Sequence, residues 1–554
     1  MRRSFPALLP VWLAASLTLA ADATHPHGAS APRTKNSGLL PGLGSYHRPI
    51  ATKSPQAQRL FDQGLTLIYG FNHDEAIRSF EKAAKLDPEA AMPLWGIAYA
   101  LGPNYNLPVD PEGERKAYRA AQKALAVAAQ APPSEKDFVE ALAKRYSDEP
   151  QADQTQLAQD YARAMGEVMR RHPEDLDAAT LYAEAMMDLR PWKLYDHDGN
   201  PAEGTEEIVA VLESVLKRDP MHPGANHYYI HAVEASRSPE RALPSAQRLQ
   251  TLVPGAGHLV HMPAHIYART GDYAAAVKSN ADAAQVDRDT MTVTGVKSGI
   301  YPLMYYGHNL HFLAYAAAMD GRYAEAKRAA GDLAALLNGV VKEMPMAEFA
   351  LPTPFLVDLQ FQKWGSILAS PEPDAHTPTT RALWHFARGV ALASQGKPEQ
   401  AETQRKAFQE LLPQIPQGNP FSGTGLATSQ QVLEVAGHII DARIAAARGD
   451  RKGAIESWKQ AVKAQDQLAY DEPPAWLFPV RESLGGELLR SGESSEAEKV
   501  FREDLEKHPR NPRSLFGLAE SLKAQGKTAD AGWVQRQFKR AWMDPASSPS
   551  IGSL

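Results

Sequence analysis

The sequence predicts an all-α chain of helix-turn-helix units repeated along one dimension, and three observations carry that prediction. Stretches of about 12 to 16 residues rich in Ala, Leu, Glu, Lys, Arg and Gln return along the whole chain, while Val and Ile stay sparse. At 554 residues the chain is too long for one compact core unless it grows as a repeat. A frame of small residues also recurs between the helical stretches, first as Gly64, Ala76, Ala83 and Pro88 around Phe80.

Met1-Arg2-Arg3, an apolar run from Phe5 to Leu19 and the small residues Ala20, Ala21 and Ala23 form the pattern of a secretory signal peptide. Residues 1–23 are read as that peptide, with cleavage expected after Ala21 or Ala23 and a retained membrane anchor as the alternative. The expected location is therefore periplasmic or secreted. No other segment is apolar enough to span a bilayer, so no membrane span is expected after cleavage. Residues 24–54 carry Pro, Gly, Ser and basic residues without apolar periodicity and read as a flexible leader, in which His25 and His27 are solvated.

From residue 55 the repeats begin. Leu60 to Pro88 resembles the tetratricopeptide repeat, a helix-turn-helix unit of 34 residues with small residues where its two helices cross. The frame returns at Ala264, Gly271, Asp272, Tyr273 and Ala276, then at Gly321, Tyr323 and Ala326. Later copies fall at Gly389, Gly396 and Ala401, at Gly449, Asp450 and Ala454, at Gly485, Gly492, Ala497 and Pro509, and at Ala519, Gly526 and Ala531. The resemblance divides the chain into N-terminal repeats over 55–220, central His-rich repeats over 221–345, C-terminal repeats over 346–543 and a tail over 544–554. The N-terminal repeats are loosened by insertions around Pro103 to Pro111 and Trp192 to Gly204. It implies a right-handed α-solenoid in which each unit buries its apolar face against the next and the first helix of each unit lines the concave side.

The central repeats hold the chemistry. The chain has 18 His, so an even spread would put about three between Asn226 and His311. There are seven: His227, His231, His258, His261, His265, His308 and His311, all at spacings of three or four that share one helical face. Glu234 continues the face of His231. In the tetratricopeptide frame the ligand-contacting positions are the second, fifth, ninth and twelfth. Counted from Ala276, His258, His261 and His265 occupy the second, fifth and ninth; counted from Ala326, His308 and His311 occupy the second and fifth, with Tyr315 at the ninth. Counted from Ala242, His227, His231 and Glu234 occupy the fifth, ninth and twelfth. The resemblance thus implies that three successive helices aim imidazoles into one groove. His385 and His438 fall at packing positions and read as structural, as do His73, His172, His376 and His508.

Imidazoles at that density predict a transition-metal site. The chain has no Cys, so neither disulfides nor thiolate ligands are available, and the remaining donors suit copper or zinc in an exported protein. The seven His exceed the needs of one ion, so either two ions bind or some rings orient the others. Glu234 is a candidate ligand, second-sphere acceptor or general base for a metal-bound water, which would open hydrolytic or oxidative chemistry. The spacing is not H-E-x-x-H, so no metalloprotease follows. Asp196 to Asn200 imitates a calcium loop, but Pro201 stands where that loop needs Gly, and a hydrophilic turn is expected. Tyr470 to Trp476 breaks the helical pattern and predicts a shaped loop that covers the groove or sets a repeat angle. A net charge of -6 gives no signal for nucleic acid.

The chain resembles secreted bacterial tetratricopeptide proteins whose central units carry these His motifs. Val260 to Ile266 and His308 to His311 are also similar to a His-bearing pair in a eukaryotic tetratricopeptide protein. Ordinary members of the superfamily hold a partner protein or peptide in the groove. That gives the alternative function, an interaction scaffold without metal whose His respond to pH.

Overall fold

The structure is a computed structural model that describes residues 38–109, 111–149, 151–342, 344–415, 426–543 and 548–554. The expected signal peptide over 1–23 and the leader as far as residue 37, with His25 and His27, lie outside the described residues. Those residues form α-helices paired as antiparallel hairpins, with short 3₁₀ and π turns and no strand among them. None of the helices is long and apolar enough to cross a membrane.

The small-residue frame works as close packing. Phe80 sits between Gly64 and Gly96, where an added Cβ would lie 2.5 and 2.6 Å from its ring. Phe501 repeats the arrangement between Gly485 and Gly517, at 2.4 and 2.2 Å. Between the two helices of a hairpin the chain reverses through a left-handed residue, as at Gly271 and Gly321 with φ of 75° and 82°. The second helix then starts on a side-chain cap: Asp272 accepts from the Ala275 N–H at 3.2 Å and Asp450 from that of Gly453 at 2.9 Å.

Two large apolar cores follow one another along the chain. The first runs from Leu43 to Val357 and the second from Ile367 to Leu554. Leu477 and Phe478, far along the chain, belong to the first core. The superhelix therefore meets itself. Gly271 lies so close to the later repeats that a Cβ would stand 1.8 Å from the Pro509 carbonyl, and the Met543 N–H donates to the Asp320 carbonyl at 3.3 Å.

The leader differs from expectation where it is described. Residues 38–54 are packed, because their polar groups find partners that a composition count does not show. Arg48 pairs with Asp175 and Asp177 at 2.6 and 2.8 Å, the Tyr46 hydroxyl donates to Asp177 at 2.7 Å, and the Leu40 N–H donates to Gln63 at 2.7 Å. The end of the tail packs too, with the Ile551 carbonyl accepting from Arg490 at 2.7 Å and Leu554 buried. Asp196 to Asn200 is a turn closed on itself, Asp196 accepting from the Asn200 backbone and side chain at 2.8 Å each.

Candidate metal centre

Three helical segments carry the imidazoles. Pro223–Val233 supplies His227 and His231, Gly257–His261 with Pro263–Arg269 supplies His258, His261 and His265, and Gly307–Met319 supplies His308 and His311. The middle segment is divided at Pro263, which has no N–H to continue the ladder. Ahead of the last, Tyr301–Tyr306 is wound as a π-helix, a winding often found beside functional sites.

The rings converge in two groups. His227, His231 and His258 bring their ligand atoms within 4.8 Å of one another, and so do His261, His265 and His308. The groups adjoin, with 5.6 Å between the ring centres of His231 and His265. Apart from half-buried His308, all six rings are buried. His311 is not brought into either group. Its ring packs edge-on to Phe349 at 5.6 Å and faces the neighbouring cavity.

Glu234 stands between the groups. One carboxylate oxygen accepts from His231 Nδ1 at 2.8 Å and the other from His265 Nδ1. With both oxygens committed to these rings it is placed as their acceptor, one of the three roles the sequence offers for it, and His231, Glu234 and His265 also bring ligand atoms within 4.8 Å of one another. His227 Nδ1 donates to the Tyr69 carbonyl at 2.6 Å and His261 Nδ1 to Asn280 Oδ1 at 2.6 Å. Asn280 is itself fixed by donating to the Ala276 carbonyl at 2.8 Å, so its oxygen must face His261.

Those contacts set the tautomers. Each of the four rings carries a proton on Nδ1, which leaves Nε2 as a lone pair wherever the ring is neutral. His261 Nε2 lies 2.7 Å from His265 Nε2 and 3.0 Å from His308 Nε2. Two lone pairs at that distance repel, so each contact needs a metal ion between the nitrogens or a second proton on one of the rings. In the other group, His227 Nε2, His231 Nε2 and both nitrogens of His258 are buried without a hydrogen-bond partner among the described residues.

Burial holds His227, His258, His261 and His308 well below the ordinary imidazole range, so they stay neutral and able to ligate. His265 moves the other way, because Glu234 outweighs its burial. Burial would raise the Glu234 carboxyl, but His265 and His231 hold it down at about 2.

The insertions expected to loosen the N-terminal repeats instead wall this site. Tyr105 and Trp192 stack at 5.4 Å and close over His231, their ring centres 5.2 and 5.9 Å from it. The loop expected at Tyr470 to Trp476 approaches from the C-terminal repeats. Arg269 stacks over Tyr470 at 5.5 Å, the Tyr470 hydroxyl donates to Glu472, and Asp471 and Glu472 face the cavity beside His265. Burial raises both carboxyls to about 7.

Sequence reasoning passed over His222, buried with its Nε2 3.0 Å from the Tyr46 hydroxyl and 3.3 Å from Asp177. It lies five residues before His227 as the N-cap of the same helix, a spacing that does not share the face of His227 and His231. His385 Nδ1 donates to Gln404 Oε1 at 2.9 Å, away from the centre.

The hairpins, their glycine turns and the small-residue crossings agree with the comparison by sequence, in which the tetratricopeptide repeat family matches residues 57–89. Residues 57–89 therefore carry a tetratricopeptide repeat, and helical hairpins continue from it along the described residues. An uncharacterized protein of Aquifex aeolicus (strain VF5) is 38% identical over 69 residues, which is 12% of this chain and 9% of that protein. Among solved structures, the chain is similar to a human IFIT1 dimer with PPP-AAAA, at 14% identity over 89% of this chain and 91% of that one, with a TM-score of 0.33. A Naa15/Naa10 complex bound to HypK-THB shares 13% identity over 88% and 77% of the two chains, with a TM-score of 0.23.

Proposed function

We propose that this tetratricopeptide protein holds two transition-metal ions, copper or zinc, one in each imidazole group. The observation that carries the reading is the convergence of His261 Nε2 and His265 Nε2 at 2.7 Å, with each ring donating its Nδ1 hydrogen to an acceptor on its far side. An ion bonded to both at ~2.0 to 2.1 Å in tetrahedral geometry needs the nitrogens roughly 3.3 Å apart, a small opening. Asn280, Glu234 and the Tyr69 carbonyl then play the part that acceptors behind ligating His play in metal sites, fixing ring orientation and raising basicity.

Six His divided between two ions give three ligands each. Three protein ligands leave a position open on an ion, which is the arrangement of reactive rather than purely structural sites. Copper and zinc suit imidazole ligation without thiolate, on the reading that the chain is exported. Partner binding remains the alternative role of the scaffold, on concave surface other than these buried rings.

Metal analysis of the full chain, purified without a His tag, tests this. About two equivalents are expected, with at least one lost in His261→Ala plus His265→Ala. A metal-free protein that cannot be loaded with zinc or copper sinks the proposal.

A further inference from the structure

A cavity of about 170 Å³ opens beside the second imidazole group. One edge is polar: His265, His308, Asp471 and Glu472 face it. Much of the remaining lining is apolar, from residues such as Leu333, Leu337, Leu383, Met344 and Val432. Ile300 and Phe349 line it and are 38% and 48% exposed, so they mark its mouth.

Size restricts the occupant. A dry protein cavity of roughly 150 Å³ takes benzene, so this one takes a single substituted ring. Aromatic and thioether groups suit a ring's faces and edges, and Phe349, Trp192, Met344 and Met346 all line the cavity. Charge restricts it further. No Lys or Arg lines the space among the described residues, while two carboxyl groups do, so an anionic head finds no protein partner. The polar edge offers hydrogen-bond acceptors and, with an ion bound, a site for a lone pair. A neutral hydroxyl satisfies both, since its oxygen can face the ion while its hydrogen faces Glu472.

We infer that the cavity binds a one-ring aromatic alcohol of the phenol type, its hydroxyl at the His265–His308 edge and its ring against the Leu333 wall. This rests on the metal reading above for the oxygen's partner. Glu472 is placed for it by Arg269 and Tyr470, so the C-terminal repeats complete a pocket whose imidazoles come from the central ones.

The test uses the full chain with zinc, which is redox-silent, and phenol, toluene and benzoate as probes in ligand-observed NMR titrations. Phenol should bind the zinc-loaded protein about tenfold or more tighter than the metal-free protein, a difference of ~1.4 kcal/mol, with toluene indifferent to zinc and benzoate weaker than phenol. Glu472→Gln should weaken phenol and spare toluene. Met344→Trp, at a half-buried wall position, should block both while zinc is retained. If zinc binds but phenol behaves as toluene does, or benzoate binds better, the cavity inference is overturned and the metal reading stands. If no zinc binds, the metal reading fails first and takes this one with it.

Discussion

Glu234 is the residue on which the two imidazole groups depend together. Its oxygens take the Nδ1 protons of His231 and His265, rings from separate helices. A Gln there keeps the shape but offers one acceptor oxygen and one NH₂, so one of the two rings loses its partner and turns. Glu234→Gln is expected to weaken metal affinity about 10- to 100-fold, measured by competition with a chromophoric chelator, without unfolding the chain. Unchanged affinity would mean that the rings are held by packing alone. The six convergent rings were legible because helical spacing and the repeat frame report which residues share a face. Glu234 was legible only as the neighbour of His231. Its bond to His265 lies 31 residues away and depends on how two hairpins pack, which no local spacing encodes. His311 shows the opposite limit: a ring at a ligand position in the frame points toward Phe349 instead.

Among the elements, the long helix Tyr273–Thr294 braces the His258 helix through a buried carboxylate. Asp287 accepts from the Tyr301 hydroxyl and from Asn309 Nδ2, each at 2.7 Å, so it ties the helix to both elements around His308. Gly257 must be glycine beside it, since a Cβ would stand 1.8 Å from Asp287 Oδ1. Gly257→Ala is expected to lower the melting temperature by several degrees and to weaken metal binding, because the segment bearing His258 must shift. Burial raises the Asp287 carboxyl from 3.8 to about 7. A carboxyl whose folded pKa is raised favours folding at low pH, and that contribution is lost as pH rises from about 4 through about 7. Asp287→Asn removes the charge, and the Asn309 amide, whose Oδ1 has no partner among the described residues, can turn to accept from it. The variant should gain on the parent protein between pH 5 and pH 8 in thermal melts of the metal-free forms. A constant gap across that range would show that Asp287 is not protonated in the folded state. The signal for these groups was present in the sequence as polar residues at positions where a repeat packs apolar ones. Asp287 lies on the second helix of its unit, however, whereas the ligand positions of the repeat frame lie on the first.

The molecule as a whole is a superhelix that returns on itself, and this part of the architecture was least legible. Repeat periodicity describes neighbours, whereas the walls over His231 come from insertions around Tyr105 and Trp192, and Glu472 arrives from more than 200 residues beyond His265. The consequence for stability is specific. The segments that carry the imidazoles contribute apolar residues to the first core and none to the second, which runs from Ile367 to Leu554. Long repeat arrays need not unfold in one step, and a ligand stabilises only the unit that holds it. Calorimetry of the full chain should therefore show the transition of the first core rising with added zinc, by the equivalent of about 4 kcal/mol at a thousandfold excess over the dissociation constant. The second transition should stay in place, and His261→Ala plus His265→Ala should remove most of the rise. Leu477 and Phe478 sit in the first core, however, so part of the C-terminal half must leave when that core melts. A single transition moving as one with zinc would mean that this docking couples the halves completely, and Phe478→Ala should then separate them.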